Sequence, residues 1–194
     1  ISASIGIAWF PDHGEDPAAL IKASDSAMYE AKLSGRNCAV TFHPQMAMRA
    51  RERLSIEQGL RRALEQELLE LHYQPVVDLN DGALLGVEAL LRWTDPDLGS
   101  VPPHRFIPIA EESAMINRLG DWVIRTACRQ MAAWQAAGQQ VPRVAVNVSG
   151  RQFAQPDFVD KLKSALADHG VQGERLMIEV TESVLQQMDK SRQI

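Results

Sequence analysis

The sequence predicts an α/β protein: part of a TIM-like β/α barrel, preceded by the closing strand, helix and strand of a separate unit. Three observations carry this reading. From Val144 to Thr181 the pattern runs strand (Val144 to Val148), helix (Pro156 to His169), strand (Leu176 to Thr181), the order that parallel strands and crossover helices produce. At Met46 a long amphipathic stretch begins, so the chain divides into 1–45, a connecting helix over 46–69, and 70–194. The last segment has room for only about half of the eight strands and roughly 250 residues of a closed barrel. Both units therefore read as truncated.

Each element has its own signal. Ile1, Ala3, Ile5, Ile7 and Trp9 alternate with small or polar residues, the period of a half-buried strand. Asp16-Pro17 offers an N-cap and a proline at the first helical position, and Leu20, Ala23, Ala27, Met28 and Ala31 recur at helical spacing up to Gly35. Ala39, Val40 and Phe42 make a short closing strand. In the connecting helix Leu54, Leu60, Leu64 and Leu68 form a stripe, while Arg49, Arg51, Arg53, Arg61 and Arg62 alternate with glutamates and read as a solvated face. Leu71 to Asp78 and Leu84 to Trp93 flank Asn80-Asp81-Gly82, a hairpin signal. A proline-rich loop, a helix over Arg105 to Ser113 and a longer one ending at Gly138 complete the pattern.

Composition narrows the function classes. Of 194 residues 45% are hydrophobic and 23% charged, and 20 basic side chains face 25 acidic ones. That balance supports a packed core and argues against a general nucleic-acid surface, which needs clustered Lys and Arg. No run approaches the roughly 18 apolar residues of a membrane span, and the start lacks the basic region of a signal peptide, so a cytoplasmic segment without membrane contact is expected, with membrane anchoring of the parent left open. Cys38 and Cys128 stand ninety positions apart without a Cys-x-x-Cys, and free thiols are expected.

Three polar residues interrupt otherwise apolar strands: Glu88 in Leu85 to Leu91, Asn147 in Val144 to Val148, and Glu179 in Met177 to Val180. A carboxylate among Val and Leu is costly unless something pairs with it. In a parallel barrel the carboxyl ends of successive strands converge on one mouth. Two carboxylates and an amide carbonyl are hard oxygen donors, suited to Mg²⁺ or Mn²⁺ rather than zinc or copper. Against this stands the plainer reading that each is a strand-end residue reaching solvent. Glu182 reads equally as an outer carboxylate of such a centre or as the start of the next helix. Arg92 shares a strand face with Glu88; it suits either a bound phosphate or a rim salt bridge.

These residues carry a resemblance. Tyr73-Gln74-Pro75-Val76-Val77, Glu88-Ala89-Leu90-Leu91-Arg92-Trp93, Phe106-Ile107-Pro108-Ile109-Ala110-Glu111, Asn147-Val148-Ser149 and Glu179-Val180-Thr181-Glu182-Ser183 resemble, in order, the motifs of the EAL domain family. The resemblance implies a cyclic di-GMP phosphodiesterase on a β/α barrel, cleaving one phosphodiester to linear pGpG with two divalent metals, Mg²⁺ or Mn²⁺. It further implies Glu88, Asn147 and Glu179 as metal ligands, Glu182 as support of the metal-water shell, and Arg92 and Gln74 as contacts to the dinucleotide. The first piece is similar to the end of an α+β GGDEF domain, the diguanylate cyclase family, on Ser4 to Ala8, Ala23 to Lys32 and Gly35-Arg36-Asn37. By spacing Lys32 and Arg36, one helical turn apart, read as a solvated face; the resemblance instead puts them on the phosphates of GTP.

The family's remaining metal ligands and its catalytic lysine would follow Ile194, so the chain by itself is expected to be inactive and its parent a hydrolase. A homodimer is expected for the parent. The rival readings are a non-catalytic receptor for cyclic di-GMP and an interaction module built on the connecting helix.

Overall fold

In the computed structural model residues 2–180 are described, and the chain divides into two units between Ile56 and Glu57.

The first unit holds β1 (Ile5–Ile7), α1 (Pro17–Leu33) and β2 (Ala39–Thr41). β1 and β2 pair in parallel, Ile5 opposite Ala39 and Ile7 opposite Thr41. Asp16 caps α1 as its spacing predicts, its Oδ1 accepting the Ala19 N–H at 2.8 Å, with Pro17 at the first helical position. The helix buries only Ala23, Ala27 and Ala31. Small side chains suit this packing because β1 passes very close: a Cβ on Gly6 would lie 1.9 Å from the Ser24 carbonyl oxygen. The strand is shorter than its alternation predicts. Trp9 lies between the strand and the turn that begins at Phe10, and the two are 57% and 69% exposed, so the apolar period continues past the last paired residue.

α2 (Pro44–Glu65) is the connecting helix, but its buried stripe differs from the leucine spacing. Within the second unit Gly59, Leu60 and Ala63 are buried, whereas in the first Leu54 is 54% exposed; Leu68 falls beyond the helix end. Its arginines are not uniformly solvated either. Arg49 pairs with Glu30 at 3.1 Å and Arg53 stacks over the Tyr29 ring, while Arg62 reaches a buried carboxylate, Asp95.

The second unit is a mixed sheet in the order β3-β4-β6-β7. β3 (Leu69–Val77) and β4 (Leu84–Asp95) are the antiparallel hairpin, and Gly82, at φ 72°, supplies the left-handed turn residue. β5 (Gly99–Val101) pairs with the end of β4. Three residues are too few to leave a periodic signal, and the sequence reading missed it. α3 (Pro103–Glu112) and α4 (Met115–Ala136) lead to β6 (Val144–Val148), which lies parallel to β4. A four-residue turn of helix, α5 (Gly150–Phe153), and α6 (Phe158–His169) lead to β7 (Leu176–Val180), parallel to β6. The expected run of parallel strands with crossover helices is therefore present across β4, β6 and β7.

One face of this sheet carries the core. Val87, Ala89, Val144, Val146 and Val148 pack against Val123, Ala127, Cys128 and Met131 of α4 and Phe158 and Ala165 of α6. Full burial of a side chain such as Met131 is worth about 2 kcal/mol. Cys128 sits in this core as a free thiol whose pKa burial raises; Cys38 is also free and half-buried.

Candidate functional site

Strand alternation sorts β4 into two faces. Val87, Ala89, Leu91 and Trp93 face the helices; Glu88, Leu90 and Arg92 face the other way. Parallel register extends the second face across the sheet: Glu88 lies opposite Ala145, and Asn147 lies opposite Glu179. Antiparallel pairing adds Gln74 of β3, opposite Glu88. The residues singled out in the sequence as polar interruptions thus share one sheet face, near the carboxyl ends of β6 and β7.

Two of them are in direct contact. The Asn147 amide donates through Nδ2 to Glu88 Oε1 at 2.7 Å. This bond spends the nitrogen on Glu88 and leaves Oδ1 as the acceptor able to serve a ligand. Glu88 is half-buried, and Asn147 and Glu179 are exposed. A carboxylate in that position keeps an open side for a cation or a polar ligand, unlike one enclosed by donors.

Arg92, two pleats along β4 from Glu88, is half-buried, and its Nη1 donates to the Leu91 carbonyl at 2.9 Å. Beside it opens a cavity of about 270 Å³ whose lining includes Arg92, Ile107, Glu111, Leu119, Asn147 and Gln152. An apolar wall with a guanidinium and an amide at its rim can take a flat ring together with an anionic group. Gln74 is exposed on the same face, and its neighbour Tyr73 points into the core side, edge-on to Trp134 at 4.8 Å. Burial there pushes the Tyr73 hydroxyl up to about 12, with Arg129 opposing the shift.

Glu182 lies outside the described residues. Lys32 and Arg36 belong to the first unit, and the helical spacing expected of them fails. α1 stops at Leu33, and Gly35, Arg36 and Asn37 all take left-handed backbone angles (φ 102°, 63° and 52°), so Arg36 is not on the helix. The glycine that signals the helix end begins a left-handed run rather than one cap residue. Both side chains are exposed.

Sequence reading missed the segment immediately after Asn147. Ser149 and Gln152 form a capping box: the Ser149 Oγ accepts the Gln152 N–H at 3.3 Å, and Gln152 Oε1 accepts the Ser149 N–H at 3.0 Å. The Ser-x-x-Gln spacing was the available signal. Among the described residues no three His, Cys, Asp or Glu side chains cluster as a metal site would require. The constellation present is two carboxylates and one amide.

The EAL domain model matches residues 57–194, and the diguanylate cyclase GGDEF domain model matches residues 1–38. The chain is 45% identical over 183 residues to the bifunctional diguanylate cyclase/cyclic di-GMP phosphodiesterase MucR of Pseudomonas aeruginosa, covering 94% of this chain and 27% of MucR. It is 42% identical over 189 residues to the cyclic di-GMP phosphodiesterase PdeR of Escherichia coli, covering 97% of this chain and 28% of PdeR. The chain therefore spans about a quarter of the length of these relatives. Among solved structures, the PaMucR phosphodiesterase in complex with c-di-GMP superposes with a TM-score of 0.67 at 42% identity, over 71% of this chain and 56% of that one. The Xanthomonas citri FimX EAL domain in complex with c-di-GMP gives 0.63 at 30% identity, over 74% of this chain and 55% of that one.

Proposed function

The chain belongs to the EAL domain family, and on that premise we propose that the protein of which it forms part hydrolyses cyclic di-GMP to linear pGpG. The observation that carries the proposal is the Asn147 to Glu88 hydrogen bond at 2.7 Å, with Glu179 in register on the next strand. In this reading residues 46–69 connect a GGDEF end (1–45) to the catalytic half-barrel (70–194).

The donor chemistry fits a divalent cation. Glu88, the Asn147 Oδ1 and Glu179 are all hard oxygen donors on one face, and they would hold Mg²⁺ or Mn²⁺. When bound, such a cation neutralises phosphate charge and makes a water acidic enough to attack. Glu182 would support that water, and a second cation would need further ligands.

The chain's own residues would then do the following. Asn147 ties Glu88 in place across two strands, so the carboxylate is oriented before any ligand arrives. Arg92 binds a phosphate through its planar guanidinium, the geometry that suits phosphate oxygens. Gln74 contacts the dinucleotide from the neighbouring strand. Overall, one water oxygen bonds to phosphorus, one phosphorus–oxygen bond to a sugar breaks, and the leaving hydroxyl takes up a proton. At the GGDEF end, exposed Lys32 and Arg36 would meet the phosphates of GTP. A homodimer, with this segment in the cytoplasm and membrane anchoring of the complete protein left open, completes the proposal; among the described residues no helix is long and apolar enough to cross a membrane.

The test uses the complete protein, incubated with cyclic di-GMP and Mg²⁺ or Mn²⁺, with and without chelator, the linear dinucleotide being followed by chromatography. Chelator-sensitive pGpG is the expected result. Retained dinucleotide binding without product would make the protein a receptor, and neither binding nor product would leave an interaction module.

A further inference from the structure

We infer that Gln152, held in place by the absence of a side chain at Gly120, is a positioning residue for Asn147. The inference rests on the reading of Glu88, Asn147 and Glu179 as the divalent-cation end of the site.

The argument starts from burial. Gln152 is only 6% exposed, unusual for a side-chain amide, and it lies on the four-residue helix α5, which has little stability of its own. Its Oε1 accepts the Ser149 N–H at 3.0 Å, and its backbone N–H is accepted by the Ser149 Oγ at 3.3 Å. Ser149 is two residues beyond Asn147, and the only intervening residue, Val148, is itself 3% exposed in the core. The backbone that aims Asn147 is therefore fixed on one side by the sheet and on the other by the amide of Gln152.

The second half of the device belongs to α4. A Cβ at Gly120 would stand 1.4 Å from Gln152 Nε2 and 2.6 Å from its Cδ. No relaxation short of moving Gln152 accommodates such an overlap. Gly120 is buried in a helix whose flanking residues, Leu119 and Val123, line the same cavity as Asn147 and Gln152. A glycine within a helix costs about 1 kcal/mol relative to alanine, and here the gap it leaves is filled by the amide. One helix thus leaves a notch, the amide occupies it, and the strand end carrying Asn147 is locked to the helix layer.

Residues that orient a metal's ligands without touching the metal typically control its affinity by about 10- to 100-fold. The experiment uses the complete protein as wild type, Gln152→Met, Gly120→Ala and the double variant. Methionine keeps the length of glutamine and removes both hydrogen-bonding atoms. Mn²⁺ binding is read from the electron paramagnetic resonance signal of free Mn²⁺, alongside the Mn²⁺ concentration giving half-maximal hydrolysis and the melting temperature.

Gln152→Met is expected to weaken Mn²⁺ binding about 10-fold. Gly120→Ala is expected to do the same by pushing the amide out, and the double variant should be no weaker than the poorer single one, because both substitutions remove one interaction. If Gly120→Ala fails to fold, Gln152→Met decides by itself. A lowered melting temperature with unchanged Mn²⁺ binding in Gln152→Met would overturn the inference, leaving Gln152 a purely structural residue. A wild type that binds no Mn²⁺ would overturn the phosphodiesterase reading and this inference with it.

Discussion

β4 carries two carboxylates seven residues apart, and they live in opposite circumstances. Asp95, at the strand's end, is 1% exposed and surrounded by donors: the Asp97 and Leu98 N–H groups at 2.9 and 3.1 Å and the Arg62 guanidinium at 3.3 Å. Glu88 is half-buried and, among the contacts described for it, accepts from the Asn147 amide. Seven is odd, so the two side chains leave the strand on opposite faces. Asp95 turns to the side where α2 packs: a Cβ on Gly59 would come within 3.0 Å of both its Oδ2 and the Trp93 ring. Glu88 turns to the face away from α4 and α6. The lesson concerns what burial means for a charge. A carboxylate saturated with donors is part of the scaffold, whereas one that, among the described residues, accepts from a neutral amide retains acceptor capacity for a ligand.

The largest effect should come from Glu88→Gln. It keeps an acceptor for Asn147 and removes only the charge, so turnover of cyclic di-GMP by the complete protein should fall about 100-fold or more while urea denaturation shifts by under about 0.5 kcal/mol. Near-normal rates would erase the contrast with Asp95.

Asp95→Ala should behave in the reverse way. It leaves two backbone N–H groups without their acceptor and Arg62 with Asp97 as its remaining partner, a loss of about 2 to 4 kcal/mol in urea denaturation, with activity per folded molecule retained. A stability unchanged by this substitution would mean that the enclosed carboxylate is not scaffold. Arg62→Met sharpens the point, since Arg62 is half-exposed and two N–H donors to Asp95 remain. A loss of about 1 kcal/mol is expected in the same measurement.

The smallest effect tests the two-face division on a neighbouring strand. Gln74 and Tyr73 are adjacent on β3 and face opposite sides. Because burial raises the Tyr73 hydroxyl from 10.0 to about 12, the folded protein keeps a proton there that the unfolded chain has released. Stability from this group is therefore complete below pH 10 and is lost as pH rises toward 12. Tyr73→Phe should flatten that part of the stability profile. Ultraviolet titration of the wild type should show a tyrosine ionising later than model tyrosine; its absence would remove Tyr73 from the core face.

Much of the fold was legible because local signals suffice for local structure. Asp16-Pro17 marked the start of α1, Asn80-Asp81-Gly82 the hairpin, and Val144 to Val148 the bounds of β6, which holds that range. Glu88, Asn147 and Glu179 were legible because each breaks an apolar strand. Leu54 was misjudged because helical spacing defines a face without saying which part of a long helix has anything to pack against. Asp95 went unnoticed in Thr94-Asp95-Pro96-Asp97, which reads as a loop, because its burial depends on α2 arriving from thirty-three positions earlier in the chain.

The sequence by itself determined the element order, the parallel character of the later strands and the oxygen-rich residues available to a site, since these follow from periodicity, capping and residue chemistry within a few positions. Tertiary structure alone decided that Asn147 donates to Glu88 across fifty-nine positions. It also decided that Gln152 fills the notch at Gly120 and that Arg62 encloses Asp95 while Arg36 leaves its helix. Those contacts depend on sheet register and on where one helix passes another, and such distances are set by packing the whole unit.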